Sequence, residues 1–148
     1  MRYFLYTFRI MANKYTFYLD FDGTVVEHAY PEIGASNPGS MDVIRKLQNA
    51  GHTIILNTYR ADLDPQSLEA AIHYLEQKEH GLEPMHDVTP AKIHPPDWNW
   101  DAFMSTGVIF IDDTCKGTPL RRNMAHEYGF MVDWNVLHDW FSDKGLFE

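Results

Sequence analysis

Two segments of this sequence share a pattern in which a short apolar run ends in closely spaced carboxylates. Residues 15–19 lead into Asp20 and Asp22, and residues 108–111 lead into Asp112 and Asp113. Runs of β-branched and aromatic residues predict strands, and Gly23 ends the first extended pattern. The repeated pattern therefore indicates apolar strands that each place acidic side chains at their carboxyl ends.

Strand and helix signals alternate along the rest of the chain. We predict strands over residues 15–21, 52–58, 84–88, 108–111 and 130–132. Helices are predicted from an N-cap at Ser40 to Gly51, from Asp64–Pro65 to near Gly81, and over about 119–128 and 134–141. Residues 22–40 and 59–63 are predicted to be irregular, and residues 89–106 to be a long stretch with one short helix. This alternation predicts an α/β fold: a single doubly wound, Rossmann-like domain with a central parallel sheet flanked by helices.

Composition and charge narrow the classes of function. Of the 148 residues, 45% are hydrophobic and 22% are charged, which is ordinary for a globular domain. The formal net charge of -9 argues against nonspecific nucleic-acid binding and against attraction to an anionic membrane. No apolar run approaches the roughly 20 residues of a transmembrane helix. The single cysteine, Cys115, excludes an internal disulfide framework and favours a cytoplasmic location.

The first residues differ from the rest of the chain. Residues 1–10 contain two arginines and several bulky apolar residues, but they lack the long apolar region and the cleavage site of a signal peptide. Met11 looks like a natural start. We therefore expect residues 1–13 to be a dispensable N-terminal extension and residues 14–148 to form the domain.

Several chemically active side chains are predicted at one edge of the sheet. Ligands bind at the carboxyl ends of the strands in folds of this class, where the pattern places Asp20, Asp22, Thr58, Asp112 and Asp113. Clustered carboxylates favour a bound cation, and Mg²⁺ prefers oxygen ligands. Phosphoryl transfer needs charge neutralisation and positioning, and an aspartate can itself be the nucleophile. The residues therefore indicate a site for a divalent cation and a phosphoryl group.

From about Tyr15 onward, the order of these motifs resembles the haloacid dehalogenase-like (HAD) phosphatases. The first motif of that family, Asp-x-Asp-x-Thr after a strand, matches Asp20-Phe21-Asp22-Gly23-Thr24; the second matches Thr58 and the fourth matches Asp112-Asp113. Its third motif is a lysine, for which Lys92 lies in the right interval. The contexts around Thr58 and Asp133 look like those of small members without a cap, and residues 23–40 are too short for a full cap domain.

The resemblance implies a magnesium-dependent phosphohydrolase that cleaves a phosphomonoester through an aspartyl-phosphate intermediate. It implies that Asp20 is the nucleophile and that Asp22 is first a general acid and then a general base. Mg²⁺ would be held by the Asp20 carboxylate, the Asp22 backbone carbonyl and Asp112, with Asp113 acting through water. Thr58 and Lys92 would bind the phosphoryl oxygens, with backbone donors from Phe21, Gly23 and Thr24.

Some residue assignments remain open on the sequence alone. Arg60 and Lys116 compete with Lys92 for the role of phosphate-binding cation. Trp98 and Trp100 are either packing residues or part of a lid over the substrate. We interpret Cys115 as a packing residue and most of the eight histidines as surface residues, because no histidine spacing typical of zinc sites is present.

The function and its partners also have alternatives. A non-catalytic binding protein for a phosphorylated ligand would keep the same pocket. A phosphoacceptor signalling domain gathers similar residues, but its acidic pair lies on the first strand and its acceptor aspartate on the middle strand, unlike here. We expect a small phosphorylated substrate in a fairly open site, although a larger one is compatible. The aromatic content of 14% leaves room for a homo-oligomer interface.

Overall fold

The apolar runs form the central sheet of the domain. The computed structural model describes residues 13–123 and 129–148. The parallel strands β1 (Thr16–Leu19), β2 (Thr53–Leu56), β3 (Asp87–Val88) and β4 (Val108–Ile111) lie in the order β3-β2-β1-β4. In register, Phe17 lies between Ile54 and Ile109, and Leu19 lies between Leu56 and Ile111. All six side chains are buried on one face, as expected for strands in an α/β core. The predicted parallel sheet is confirmed.

Helices flank this sheet. They are α1 (Ser40–Asn49), α2 (Arg60–Leu63), α3 (Pro65–Glu76), α4 (Trp100–Thr106) and α5 (Trp134–Asp143), with a 3-10 turn at Lys78–His80. Asp64 caps α3 as predicted, because its Oδ1 accepts the N–H of Gln66 at 3.0 Å. The predicted cap at Ser40 is wrong: Gly39 is the N-cap of α1, and the Ser40 hydroxyl donates instead to the carbonyl of Val25.

Two local predictions are corrected by the structure. The segment predicted as a helix over residues 119–128 contains β5 (Leu120–Arg122), which pairs antiparallel with β6 (Phe130–Val132) in a second sheet. Tertiary pairing here overrides helix propensity. Residues 124–128 lie outside the described residues. The segment predicted as a loop over residues 59–63 contains the short helix α2.

Hydrogen bonds connect the second sheet to the turn that follows β1. The N–H of Val132 donates to the carbonyl of Gly23 at 3.0 Å. The Asn37 amide donates to the carbonyls of Thr24 and Val132, at 2.8 and 2.7 Å, and the Trp134 indole also donates to Thr24. All these bonds are buried or nearly so, which makes them strong positional constraints on the turn. The turn that carries the first acidic motif is therefore fixed both by Val132 and Trp134 and by the loop residue Asn37.

Trp98 and Trp100 belong to an aromatic cluster. The Trp98 ring lies 5.1 Å from Phe103, 5.6 Å from Trp140 and 6.3 Å from Phe141, and Trp100 contacts Trp140 and Phe141. Such ring pairs stabilise the contact between α4 and α5. The structure thus favours the packing interpretation of these tryptophans over a lid.

Three further sequence predictions concern single features of the chain. Cys115 is buried with its Sγ 2.9 Å from the carbonyl of Pro96, and burial raises the pKa of its thiol, which suits a packing residue. Residues 1–12 of the predicted extension lie outside the described residues. Within 13–123 and 129–148, no helix combines the length and hydropathy needed to cross a bilayer.

Candidate active site

The predicted acidic residues meet at the carboxyl ends of β1 and β4. The N–H of Asp20 donates to the carbonyl of Ile111 at 2.9 Å, so the two strands end side by side. One carboxylate oxygen from each of Asp20, Asp112 and Asp113 lies within 4.8 Å of the others. Asp20 and Asp112 are 5% and 1% exposed. The sequence prediction that both acidic motifs share one site agrees with this geometry.

Lys92 reaches this cluster from the loop after β3. Its Nζ lies 2.8 Å from Asp20 Oδ1 and 2.6 Å from Asp112 Oδ2, and its side chain is 1% exposed. Asn57, at the end of β2, fixes the loop: its Oδ1 accepts the N–H of Ile93 and its Nδ2 donates to the Ile93 carbonyl, both at 2.8 Å. Asn57 is therefore a positioning residue for Lys92.

Burial and mutual repulsion perturb these charges. Burial and the neighbouring Asp112 charge raise the pKa of Asp20 well above its ordinary value, although Lys92 acts to lower it. Burial acts to lower the pKa of Lys92, but Asp20 and Asp112 raise it, and the net shift is upward. Since one lysine faces several carboxylates, the cluster carries excess negative charge that a cation would relieve.

Thr24 and Gly23 shape the turn around Asp20. The Thr24 hydroxyl donates to Asp20 Oδ2 at 2.7 Å and accepts the N–H of Asp113 at 3.2 Å. The N–H groups of Gly23 and Thr24, predicted to bind phosphate, instead donate to the carbonyls of Val26 and Phe21. The tight turn uses these donors internally, so that prediction is corrected. Thr24 orients the Asp20 carboxylate.

Gly23 also makes room for the site. Its φ is +78°, and a Cβ atom there would lie 2.6 Å from Asp113 Oδ2 and would overlap the His28 ring. Side chains larger than hydrogen are therefore excluded both by conformation and by space.

Asp22 is not part of the three-carboxylate cluster and pairs with Arg60. Its Oδ1 and Oδ2 accept the Arg60 Nη2–H and Nε–H, each at 2.8 Å. The Asp22 side chain is 18% exposed and that of Arg60 is 1% exposed. Such a bidentate pair fixes the plane of the carboxylate. The Asp22 carboxylate is thus held at the site's edge and lies outside the group that could hold a metal.

Arg60 has no donor left for a phosphate. Besides Asp22, its Nη1 donates to the carbonyls of Pro31 and Ser67, and its Nη2 donates to that of Glu32. These bonds use all five N–H groups of the guanidinium. The interpretation of Arg60 as a ligand of the substrate phosphate is therefore wrong. Arg60 positions the Asp22 carboxylate instead.

The remaining predicted phosphate ligands differ in burial. Thr58 is buried at the end of β2, where its Oγ1 accepts the N–H of Arg60 at 3.2 Å and its hydroxyl proton can be donated elsewhere. Lys116 is exposed, whereas Lys92 lies between Asp20 and Asp112. The structure thus brings Lys92, and not Lys116, to the carboxylates.

Sequence reasoning did not single out His28 among the eight histidines, most of which were expected at the surface. Its Nε2 lies 3.0 Å from Asp113 Oδ2. The hydrogen bond with Asp113 raises the pKa of His28, against the effect of partial burial, and hydrogen bonding to His28 lowers the pKa of Asp113 despite burial. No spacing to another motif signals this contact, because it joins residues 85 positions apart.

The three-carboxylate cluster has the donors that a hard divalent cation needs. Asp112 Oδ2 is buried without an aligned hydrogen-bond donor, and its charge is met by Lys92. Asp112 Oδ1 is already fixed by the N–H and hydroxyl of Thr114, at 2.9 and 2.7 Å. Oxygen ligands of this kind, held by second contacts, fit Mg²⁺.

Comparison with known proteins adds support for the fold. No protein-family model and no curated protein matches this chain. Among solved structures, the chain is similar to a conserved protein coded by a locus of Bacteroides thetaiotaomicron, with 28% identity and a TM-score of 0.57 over 89% of this chain and 93% of that one. The similarity agrees with a Rossmann-like α/β domain over most of the chain.

Proposed function

We propose that this chain is a HAD-like, magnesium-dependent phosphohydrolase that cleaves a phosphomonoester through an aspartyl-phosphate intermediate. The supporting observation is the carboxylate cluster of Asp20, Asp112 and Asp113, within 4.8 Å, whose members Asp20 and Asp112 are bridged by the buried Lys92. It lies at the carboxyl edge of a parallel sheet, the usual position for ligands.

In the first step, an Asp20 oxygen attacks phosphorus and the bond to the leaving oxygen breaks. Thr24 and Lys92 each hold one oxygen of that carboxylate, so its orientation is set before the substrate arrives. Asp22 gives a proton to the leaving oxygen. Each Asp22 oxygen retains a lone pair outside its bond to Arg60, and this lone pair is the position through which the proton would be transferred.

In the second step, water attacks the phosphorus of the aspartyl phosphate. Asp22 takes the proton of this water, and the bond between phosphorus and Asp20 breaks to release inorganic phosphate. Lys92 and the Thr58 hydroxyl stabilise the charge on the phosphoryl oxygens. Asp20, Asp112 and Asp113 are the residues that would hold Mg²⁺, which when bound neutralises charge on the transferring group.

A screen of small phosphomonoesters with Mg²⁺ tests this function. We expect hydrolysis of at least one ester, and a loss on the order of 10³-fold or more in Asp20→Asn, because the nucleophile is removed. Asp139→Asn, at a side chain 80% exposed, is the matched control. Activity that survives in Asp20→Asn would defeat the proposal, and phosphate binding without any Asp20-dependent hydrolysis would favour the non-catalytic alternative.

Lys92→Ala and Lys116→Ala separate the two candidate lysines. Removing Lys92 should lower kcat by about 10²- to 10³-fold, because a charge that stabilises the phosphoryl oxygens is lost. Lys116→Ala, at an exposed position, should change kcat by less than about twofold. Steady-state kinetics on both variants, with circular dichroism to show that each is folded, gives the answer; unchanged turnover in Lys92→Ala contradicts the assignment.

A further inference from the structure

Two exposed aromatic rings flank the candidate active site, each on a different loop. Tyr59 follows Thr58 at the end of β2, and Tyr30 lies in the segment between β1 and α1. Both side chains are 43% exposed. Exposed rings at these positions offer apolar faces on which a ligand can pack.

Each ring lies over one of the two buried cations of the site. Lys92 Nζ is 5.0 Å from the centroid of the Tyr59 ring, and Arg60 Cζ is 5.1 Å from that of Tyr30. Those cations contact Asp20 and Asp22, each at 2.8 Å. A single cation therefore separates each tyrosine ring from a carboxylate with a proposed role in the reaction. These carboxylates are Asp20, which would attack the phosphoryl group, and Asp22, which would protonate the leaving oxygen.

The Tyr59 ring is held in place from a second loop. Its hydroxyl lies 3.0 Å from His94 Nε2, and the two rings meet edge to face at 5.8 Å. His94 follows the Lys92 segment that Asn57 fixes. A ring that is already ordered loses little conformational entropy when a ligand stacks on it.

We propose that the leaving group of the substrate is a planar aromatic ring attached at the ester oxygen, stacked against Tyr59 and Tyr30. This inference rests on the proposed phosphohydrolase function for its chemistry. An aromatic ring gains stacking interactions that an alkyl chain of similar size lacks. Each tyrosine ring is separated from a site carboxylate by a single cation, so a substrate ring stacked on it would lie close to the phosphorus. This short distance suits a substrate ring bound directly to the ester oxygen better than one separated from that oxygen by a sugar.

Binding of non-hydrolysable phosphonates tests the inference without relying on turnover. With Mg²⁺ present, the full chain should bind phenylphosphonate about three- to tenfold more tightly than propylphosphonate. Tyr59→Leu and Tyr30→Leu should each reduce this ratio toward one, whereas Tyr59→Phe, which keeps the ring, should preserve most of it. Isothermal titration calorimetry measures all the affinities, and having variants at two positions covers the case in which one of them fails to fold.

The outcomes separate the two proposals. Equal affinities for the two phosphonates, no measurable binding of either, or a ratio that neither leucine variant changes overturns the aromatic leaving group. The protein could instead bind a nucleoside 5′-monophosphate tightly in a Tyr59-dependent way and show no preference for phenylphosphonate over propylphosphonate. That result overturns the placement of the ring at the ester oxygen. A failure of the proposed phosphatase function alone gives a different result: phenyl phosphate binds to the protein, but no Asp20-dependent hydrolysis follows.

Discussion

Arg60→Ala should lower the free energy of unfolding by about 3–5 kcal/mol, because it leaves a buried, bidentate ion pair without its cation. The same change removes the donors to the carbonyls of Pro31, Glu32 and Ser67. Since domains of this size are stable by only about 5–15 kcal/mol, about a fifth or more of the total stability should disappear. Arg60→Lys should rescue little, because an ammonium cannot reproduce the planar fork of bonds.

Urea denaturation of matched arginine variants measures this effect. Arg122→Ala makes the same substitution at an exposed residue of β5, and it should change stability by no more than about 0.5 kcal/mol. If Arg60→Ala proved as stable as Arg122→Ala, Arg60 would not be the structural anchor that its contacts indicate.

Mg²⁺ should raise the melting temperature, by roughly 5–10 °C at about a hundredfold excess over its dissociation constant. The reason is electrostatic: burial and the Asp112 charge disfavour the charged form of Asp20 and raise its pKa, and a bound cation would compensate both effects. Asp112→Asn removes one of the three carboxylates that lie within 4.8 Å. Most of the Mg²⁺-induced shift should therefore vanish in this variant.

Differential scanning fluorimetry with two controls distinguishes specific binding from a general salt effect. Potassium chloride at the same ionic strength should give a much smaller shift, because screening affects exposed charges more than buried ones. Asp139→Asn, which removes an exposed carboxylate, should keep the full response to Mg²⁺. An Asp112→Asn variant that responds as the unchanged protein does would contradict a metal site at this cluster.

The sequence predicted those parts of the site whose position follows from the direction of the strands and from the residues at their carboxyl ends. Apolar runs followed directly by Asp20 and by Asp112 were expected to bring these residues to one edge, because parallel strands of one sheet end at the same edge. The lysine of this site was harder to place, since three candidate cations lie near the motifs in sequence. Only the geometry separates them: Lys92 is buried between carboxylates, Arg60 is fully bonded elsewhere, and Lys116 is exposed.

Other features depended on contacts that no local pattern encodes. The strand at Leu120–Arg122 has helix-forming residues, but it pairs with Phe130–Val132, and pairing of this kind outweighs propensity. The contact between His28 and Asp113 joins the loop after β1 to the end of β4, and one histidine among eight carries no signal of it. The role of Asn57 was hidden for the same reason, because its partner Ile93 lies in a different loop.

The bonds that Arg60 makes to Pro31 and Glu32 also limit how the segment between β1 and α1 can vary in length. These carbonyls have fixed positions relative to Asp22, and Asn37 ties the end of the same segment to Val132. Inserted residues would displace acceptors that a buried guanidinium needs, whereas a surface turn such as that at Gly145, with open space around it, accepts them more easily. For engineering, insertions into this loop should therefore avoid the positions around Pro31, Glu32 and Asn37.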